Sequence, residues 1–208
     1  MSEFWEDKFQ KIGLLWQFEP ADSAFLARDL FVKNAFRKIL VPGVGYGRNA
    51  RLFVESGFEV AGIEISETAI RLARENGLEF PIHHGSVTQM PFDDVRYDGI
   101  FCYALIHLLN QYERRQFLIN CYNQIRQGGI MFFVSVSKNY KMFGQGKLVS
   151  KDRFRIQNGL DVFFFDQDSV EREFGKLGLI EYREIEEPVK HMPNEDPMKF
   201  FQVVCRKN

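Results

Sequence analysis

Glu64 stands about 20 residues beyond a cluster of glycines at Gly43, Gly45 and Gly47, a separation at which a carboxylate can accept hydrogen bonds from both hydroxyls of a ribose. The glycines let the backbone turn sharply and approach a ligand with no side chain in the way. Their spacing separates ligand classes. The dinucleotide fingerprint runs G-x-G-x-x-G and sets a pyrophosphate at a helix N-terminus; here the third glycine comes one residue too early. No G-K-[ST] follows, which excludes a P-loop. Glycines and carboxylate together mark a nucleotide-binding corner of another kind.

A strand and a helix must carry that corner. Ile39-Leu40-Val41 reads as the end of a buried strand over 38–41, and 48–56 as a helix with Ala50, Leu52, Phe53 and Val54 as its apolar positions and Gly57 as its stop. A second strand over 58–64 ends on Glu64. Further helices are expected over 22–36, capped by Asp22, over 66–76, capped by Ser66, and over 111–127, closed by Gly128-Gly129. Strands are expected over 80–83, 96–103 and 130–136. This alternation with short connections predicts a parallel sheet with right-handed crossovers. The far end differs: after a helix over 167–177, capped by Asp166 or Asp168, two strands over 179–186 and 199–207 have no helix between them. Pro188, Pro193 and Pro197 bar one, so these strands should pair antiparallel.

The run Val41-Pro42-Gly43-Val44-Gly45-Tyr46-Gly47-Arg48-Asn49 resembles the first motif of the class I S-adenosylmethionine-dependent methyltransferases. Val60 to Ser66 is similar to that family's acidic-ended second strand, Gly85-Ser86-Val87 to its adenine loop, and Tyr97 to Tyr103 to the strand that leads to the transferred methyl. The resemblance covers nearly the whole chain. It implies a Rossmann-like α/β fold, a mostly parallel seven-stranded sheet flanked by helices with a C-terminal antiparallel hairpin. It also implies S-adenosyl-L-methionine as cofactor and S-adenosyl-L-homocysteine as product. By resemblance, Gly43, Gly45, Gly47 and Asn49 line the methionine part, Glu64 holds the ribose, Ile65 packs on the adenine, and Ser86 and Val87 meet its edge. Two departures stand out: Pro42 replaces an acidic residue common before the first glycine, and Ser86 replaces the usual aspartate. Within the family the closest look is to the small-molecule branch that includes thiopurine and tellurite-resistance methyltransferases, through Gly47-Arg48-Asn49, Phe4 to Phe9 with Trp16, and Gly144 to Lys147.

For such chemistry the protein must align a nucleophile with an S–CH3 bond and exclude water; a thiolate needs no base, whereas a hydroxyl or amine needs an outlet for its proton. The best polar candidates near the methyl are Tyr103, as a wall or cofactor contact, and His107. For His107 a chemical role and a helix-start histidine bonded to backbone stand level. His83-His84 read as a strand end, and no metal is expected. The N-terminal segment 1–21 carries Trp5, Phe9, Trp16 and Phe18, which either close over cofactor and acceptor as an aromatic flap or pack on a sheet edge. The insertion 137–166 is the other expected wall, with Tyr140 toward the acceptor. Its Lys141, Lys147, Lys151, Arg153 and Arg155 either receive an anionic acceptor or are simply solvated. Glu181, Glu184, Glu186 and Glu187 read as a solvent-facing strand.

The chain of 208 residues suits one domain, 1–208. A net charge of -1 supplies no field for a polyphosphate backbone, which argues against nucleic acid as partner. Cys102, Cys121 and Cys205 lie far apart and form no metal-type pair. With no basic region followed by an apolar stretch at the start, and no apolar run long enough for a bilayer, no export signal or membrane partner is expected; the expectation is a cytoplasmic enzyme. Its acceptor is expected to be a small molecule, with thiols and related soft nucleophiles first. The competing readings are a protein or nucleic-acid methyltransferase and a cofactor-binding module without turnover. Acceptor identity and oligomeric state are not legible.

Overall fold

The computed structural model describes residues 2–14, 18–188 and 197–208. Its elements are α1 (Ser2–Ile12), α2 (Asp22–Lys33), β1 (Lys38–Pro42), α3 (Arg48–Glu55), β2 (Glu59–Glu64), α4 (Glu67–Glu75), β3 (Ile82–His84), β4 (Tyr97–Tyr103), α5 (Gln111–Gln124), β5 (Ile125–Val136), β6 (Lys147–Ser150), β7 (Arg153–Arg155), β8 (Asp161–Phe163), α6 (Gln167–Phe174), β9 (Leu179–Glu187) and β10 (Met198–Arg206). The main sheet has seven strands in the order β3-β2-β1-β4-β5-β10-β9. Strands β1 to β5 run parallel, and β10 lies antiparallel to both β5 and β9. The chain steps outward from β1 to β3 and then returns to β4, so the strand order reverses between β1 and β4. Open α/β sheets bind their ligands at such a reversal, beyond the carboxyl ends of the strands.

The burial pattern follows from this topology. β1, β2 and β4 are covered on both faces and are almost wholly buried, as the near-continuous apolar run in each requires. Phenylalanine supplies much of the filling: Phe31, Phe53 and Phe101 are fully buried, with ring centroids 5.9 Å apart between Phe31 and Phe53 and 5.3 Å between Phe53 and Phe101. β9 is an edge strand and carries charges that discourage further pairing.

Three boundaries differ from the sequence expectation. α2 stops at Lys33 because Asn34 and Ala35 turn the chain (Ala35 φ 52°) and the Phe36 amide bonds back to the Phe31 carbonyl at 3.1 Å. Its N-cap is Ala21, with Asp22 as first helical residue. α5 stops at Gln124 and β5 begins at once, its register shifting where Gly128 and Gly129 pass Asp98. Two features carried no sequence signal. Ser2–Ile12 forms a helix, and the 137–166 insertion holds a three-stranded sheet in the order β6-β7-β8. Among the described residues no helix is long and apolar enough to cross a membrane.

Candidate active site

The glycine corner forms at the carboxyl end of β1. Gly43, Gly45 and Gly47 all take positive φ, at 65°, 57° and 87°. Gly43 and Gly45 border a cavity, while Gly47 opens α3, where an added Cβ would come within 2.4 Å of Leu78. Gly47 is therefore a packing position, not one of the cavity's residues. Glu64, only 6% exposed, ties the corner together. One carboxylate oxygen accepts from the Gly45 amide at 2.7 Å, and the other from the amides of Ile65 at 2.8 Å and Ser66 at 2.9 Å. Burial pushes its pKa up, and the three amides oppose that push. A carboxylate has about four acceptor sites, so three amides leave one for a ligand hydroxyl, short of the two the sequence spacing anticipates.

The cavity occupies about 700 Å³ along the carboxyl edge, within the roughly 300–1,000 Å³ usual for small-molecule sites. One end holds Gly85, Ser86 and Val87, with Ile65 and Glu64 beside them. Ser86 caps the short turn Val87–Gln89 through Thr88, so its hydroxyl is already engaged locally. The middle holds Gly43, Gly45 and Tyr103. The far end is an apolar chamber walled by Tyr140, Met142, Ile156, Leu160, Phe164 and Phe200.

Trp5 and Phe9 of α1 border the cavity, and Phe9 packs edge-on to Tyr46 with centroids 6.1 Å apart. Glu6 anchors α1 by accepting from the Ser66 hydroxyl at 2.6 Å and the Thr68 hydroxyl at 2.5 Å, which lowers its pKa to about 2. Asn49 and Arg48 act on the chain rather than leaving their polar groups open. Asn49 Oδ1 accepts from the Ala21 amide at 2.9 Å, and Arg48 donates to the Glu19 carbonyl at 2.8 Å, drawing the segment before α2 onto the corner. Trp16 lies outside the described residues.

His107 lies in the turn Ile106–Leu108 and borders the cavity. Its Nδ1 accepts from the Val136 amide at 3.3 Å, and burial lowers its pKa to about 3, so the imidazole is neutral. Arg155 corrects an expectation: it is exposed, pairs with Asp161 at 2.7 Å, and does not border the cavity. Lys147 and Lys151 are exposed as well, whereas Arg153 is buried and donates to the Leu108 carbonyl at 3.2 Å. The His83-His84 pair is occupied: His83 bonds Asp93 at 2.9 Å and His84 bonds the Ile65 carbonyl at 3.1 Å.

Sequence reasoning missed Glu187. It was expected to face solvent with its acidic neighbours, but it is 2% exposed and borders the apolar chamber. Glu181, Glu184 and Glu186 are exposed. Tyr103 lies beside Glu187; burial first, and then that negative charge, raise the phenol's pKa well above its usual value and keep it protonated.

The cavity's charges suit a cationic ligand. Glu19, Asp22, Glu64 and Glu187 face it against Lys8 and Arg48, while the glycine backbone and Glu64 suit an adenosine-like body. Residues 40–133 match the family model described as a methyltransferase domain. A ubiquinone biosynthesis O-methyltransferase of Aromatoleum aromaticum is 24% identical over 144 residues, covering 67% of this chain and 60% of that protein. The chain thus spans less than two thirds of the length of that curated relative. Among solved structures, the 1,6-didemethyltoxoflavin N1-methyltransferase of Burkholderia thailandensis, with 1,6-didemethyltoxoflavin and S-adenosylhomocysteine bound, superposes with a TM-score of 0.74 at 14% identity, covering 100% of this chain and 87% of that one. TehB of Haemophilus influenzae superposes with a TM-score of 0.68 at 18% identity, covering 98% and 67%. These likenesses show the same fold. The domain match, which runs from β1 into β5, and the seven-stranded topology together show a Rossmann-like methyltransferase fold.

Proposed function

We propose that this protein transfers a methyl group from S-adenosylmethionine to a small molecule with an apolar body. One observation carries the reading: a single cavity runs from the Glu64 corner, past Tyr103, into the chamber of Met142, Ile156, Leu160 and Phe200, so two ligands can meet inside one enclosure. When bound, the cofactor supplies a sulfonium methyl open to in-line attack. The protein's part is to hold the partners in line and keep water out, effects worth on the order of 7–11 kcal/mol in well-oriented systems. Gly43, Gly45 and Glu64 bind the amino-acid and ribose parts, Ile65, Ser86 and Val87 receive the adenine, and Tyr103 flanks the methyl. Trp5, Phe9, His107 and Tyr140 face the acceptor. Helix α1 serves as a lid, latched by Glu6.

The small-molecule branch with thiopurine and tellurite-resistance enzymes remains our placement within the family, supported by the Gly47-Arg48-Asn49 ending and the aromatic N-terminal helix. A thiol acceptor is favoured by the polarisable Met142 and Met198 in the chamber. Oxygen and nitrogen acceptors are favoured by the reactions named for the ubiquinone O-methyltransferase and the toxoflavin N1-methyltransferase. The three cysteines are unpaired and buried, which fits a cytoplasmic setting.

Calorimetric titration with S-adenosylmethionine, S-adenosylhomocysteine and NADH tests the reading. The two sulfur ligands should bind in the micromolar range and NADH should not. Glu64→Ala should weaken both by more than tenfold, with circular dichroism confirming that the variant is folded. Failure of the wild type to bind either sulfur ligand overturns the proposal, and binding without turnover on any acceptor would leave a cofactor-binding module instead.

A further inference from the structure

The far end of the cavity contains a buried carboxylate with one oxygen fully engaged and the other open. Glu187 Oε1 accepts from both the amide and the hydroxyl of Ser23, at the start of α2. Ser23 is fully buried and in turn accepts from Gln202 Nε2 at 2.7 Å, while Gln202 Oε1 accepts from Arg183 Nε at 2.8 Å. This chain of bonds, drawn from β9, β10 and α2, fixes the carboxylate in one orientation. Glu187 Oε2 is buried and has no hydrogen bond of ordinary geometry among the described residues; the Tyr103 hydroxyl is close enough to donate a weak one, which favours the charged carboxylate. A helix cap would account for Oε1, since Ala21 offers no side-chain cap to α2. It does not account for Oε2. A buried acceptor this poorly satisfied by the described residues is costly and uncommon, and here it borders the chamber assigned to the acceptor.

We propose that Glu187 receives the proton of the methyl acceptor, and that the acceptor reacts through a hydroxyl oxygen or an amine nitrogen rather than through an already ionised sulfur. The inference rests on the methyl-transfer reading and narrows its substrate class. As the acceptor's lone pair forms the new bond to the methyl carbon, the S–CH3 bond breaks with its electrons staying on sulfur. The O–H or N–H bond gives its proton to Oε2. A neutral acceptor, a sulfonium and a carboxylate thereby become a methylated product, a thioether and a carboxylic acid, with charge conserved. Protonated Tyr103 flanks the same atoms and can help orient the attacking oxygen or nitrogen. Burial and the neighbouring Asp22 favour the protonated form of Glu187, while Ser23 and Tyr103 oppose them; the upward balance brings the carboxylate closer to the pKa of a working base.

The test uses three probes of one shape, 4-ethylphenol, 2-phenylethylamine and 2-phenylethanethiol, with methyl-labelled S-adenosylmethionine and the full chain. Glu187→Gln keeps an oxygen for Ser23 but cannot take a proton at neutral pH. The expected result is turnover or S-adenosylhomocysteine-dependent binding of the phenol or the amine. The variant should lower turnover by about 100-fold or more, or binding by about tenfold, while affinity for S-adenosylhomocysteine stays within twofold and any thiol rate is unchanged. A merely structural role would lower all three probes together. The proposal is overturned if only the thiol reacts, if the three fall in parallel, or if neither the phenol nor the amine shows any Glu187-dependent turnover or binding. Loss of S-adenosylhomocysteine binding by the wild type would instead overturn the methyl-transfer reading itself.

Discussion

His107 and Glu187 both border the cavity, and the structure separates them by what each side chain already holds. The imidazole spends its Nδ1 on the Val136 amide and is held neutral by burial, its pKa lowered to about 3. An unfolded histidine takes up a proton near pH 6.5. Between these values the unfolded chain therefore binds more protons than the folded one, and stability falls as the pH drops from about 6.5 toward 3. His107→Gln should flatten the pH dependence of the melting temperature in that window and leave the pH profile of turnover above pH 6 unshifted. A shift of a turnover pKa near neutrality in the variant would assign His107 a chemical role. At this scale the Glu64 corner was legible in the sequence because its parts lie within one strand-turn-helix-strand unit. Glu187 was not, because its clamp is Ser23, 164 positions away in sequence, and strand alternation says nothing of a last residue that passes beneath a helix end.

Among the elements, α1 is tied to α4 through one side chain, Glu6. Glu6 accepts from the hydroxyls of Ser66 and Thr68 and from the Thr68 amide at 3.2 Å, so a carboxylate lies at the N-terminus of α4, where both hydrogen bonds and the helix dipole favour it. With its pKa lowered to about 2, Glu6 adds its stability fully above the unfolded value near 4.5 and loses it as the pH falls through about 2. Glu6→Gln should speed amide exchange in Ser2–Ile12 at neutral pH and raise the dissociation rate of S-adenosylhomocysteine several-fold, while exchange in β1 to β5 stays as in the wild type. Equal exchange of α1 in the two proteins would show that the latch contributes nothing. The helix itself escaped sequence reading because its aromatic residues suited either a flap, the slightly favoured reading, or a packed edge, and neither requires a helix. Its amphipathic role appears only once Phe9 meets Tyr46 and Glu6 meets α4.

Across the whole molecule, the alternation of apolar runs with capped helices gave the parallel half of the sheet, and three prolines gave the antiparallel hairpin that completes it. The β6-β7-β8 sheet was illegible because its strands are short, largely exposed at β6, and held from outside. Arg114 does much of that holding. From α5, 3% exposed, it grips Glu173 of α6 through two parallel bonds of 2.9 Å, donates to the Leu109 carbonyl at 3.0 Å, and lies 3.8 Å over the ring of Phe163 in β8. One guanidinium on α5 thus joins the small sheet, α6 and the turn before α5, and a lysine could reproduce neither the fork nor the stacking. Removing one member of a buried pair costs about 3–5 kcal/mol, and Glu173 retains some solvent at 15% exposure, so Arg114→Ala should fall toward the lower end of that range. At about 2–4 °C per kcal/mol for a chain of this size, the melting temperature should drop by roughly 6–12 °C. Arg114→Lys should recover only part of the loss, and exchange should quicken in β7 and β8 before it does in β1 or β4. If Arg114→Ala melts within about 2 °C of the wild type, the apolar chamber does not owe its walls to this clamp, and the small sheet must be held by the cluster of Phe143, Phe154 and Phe164.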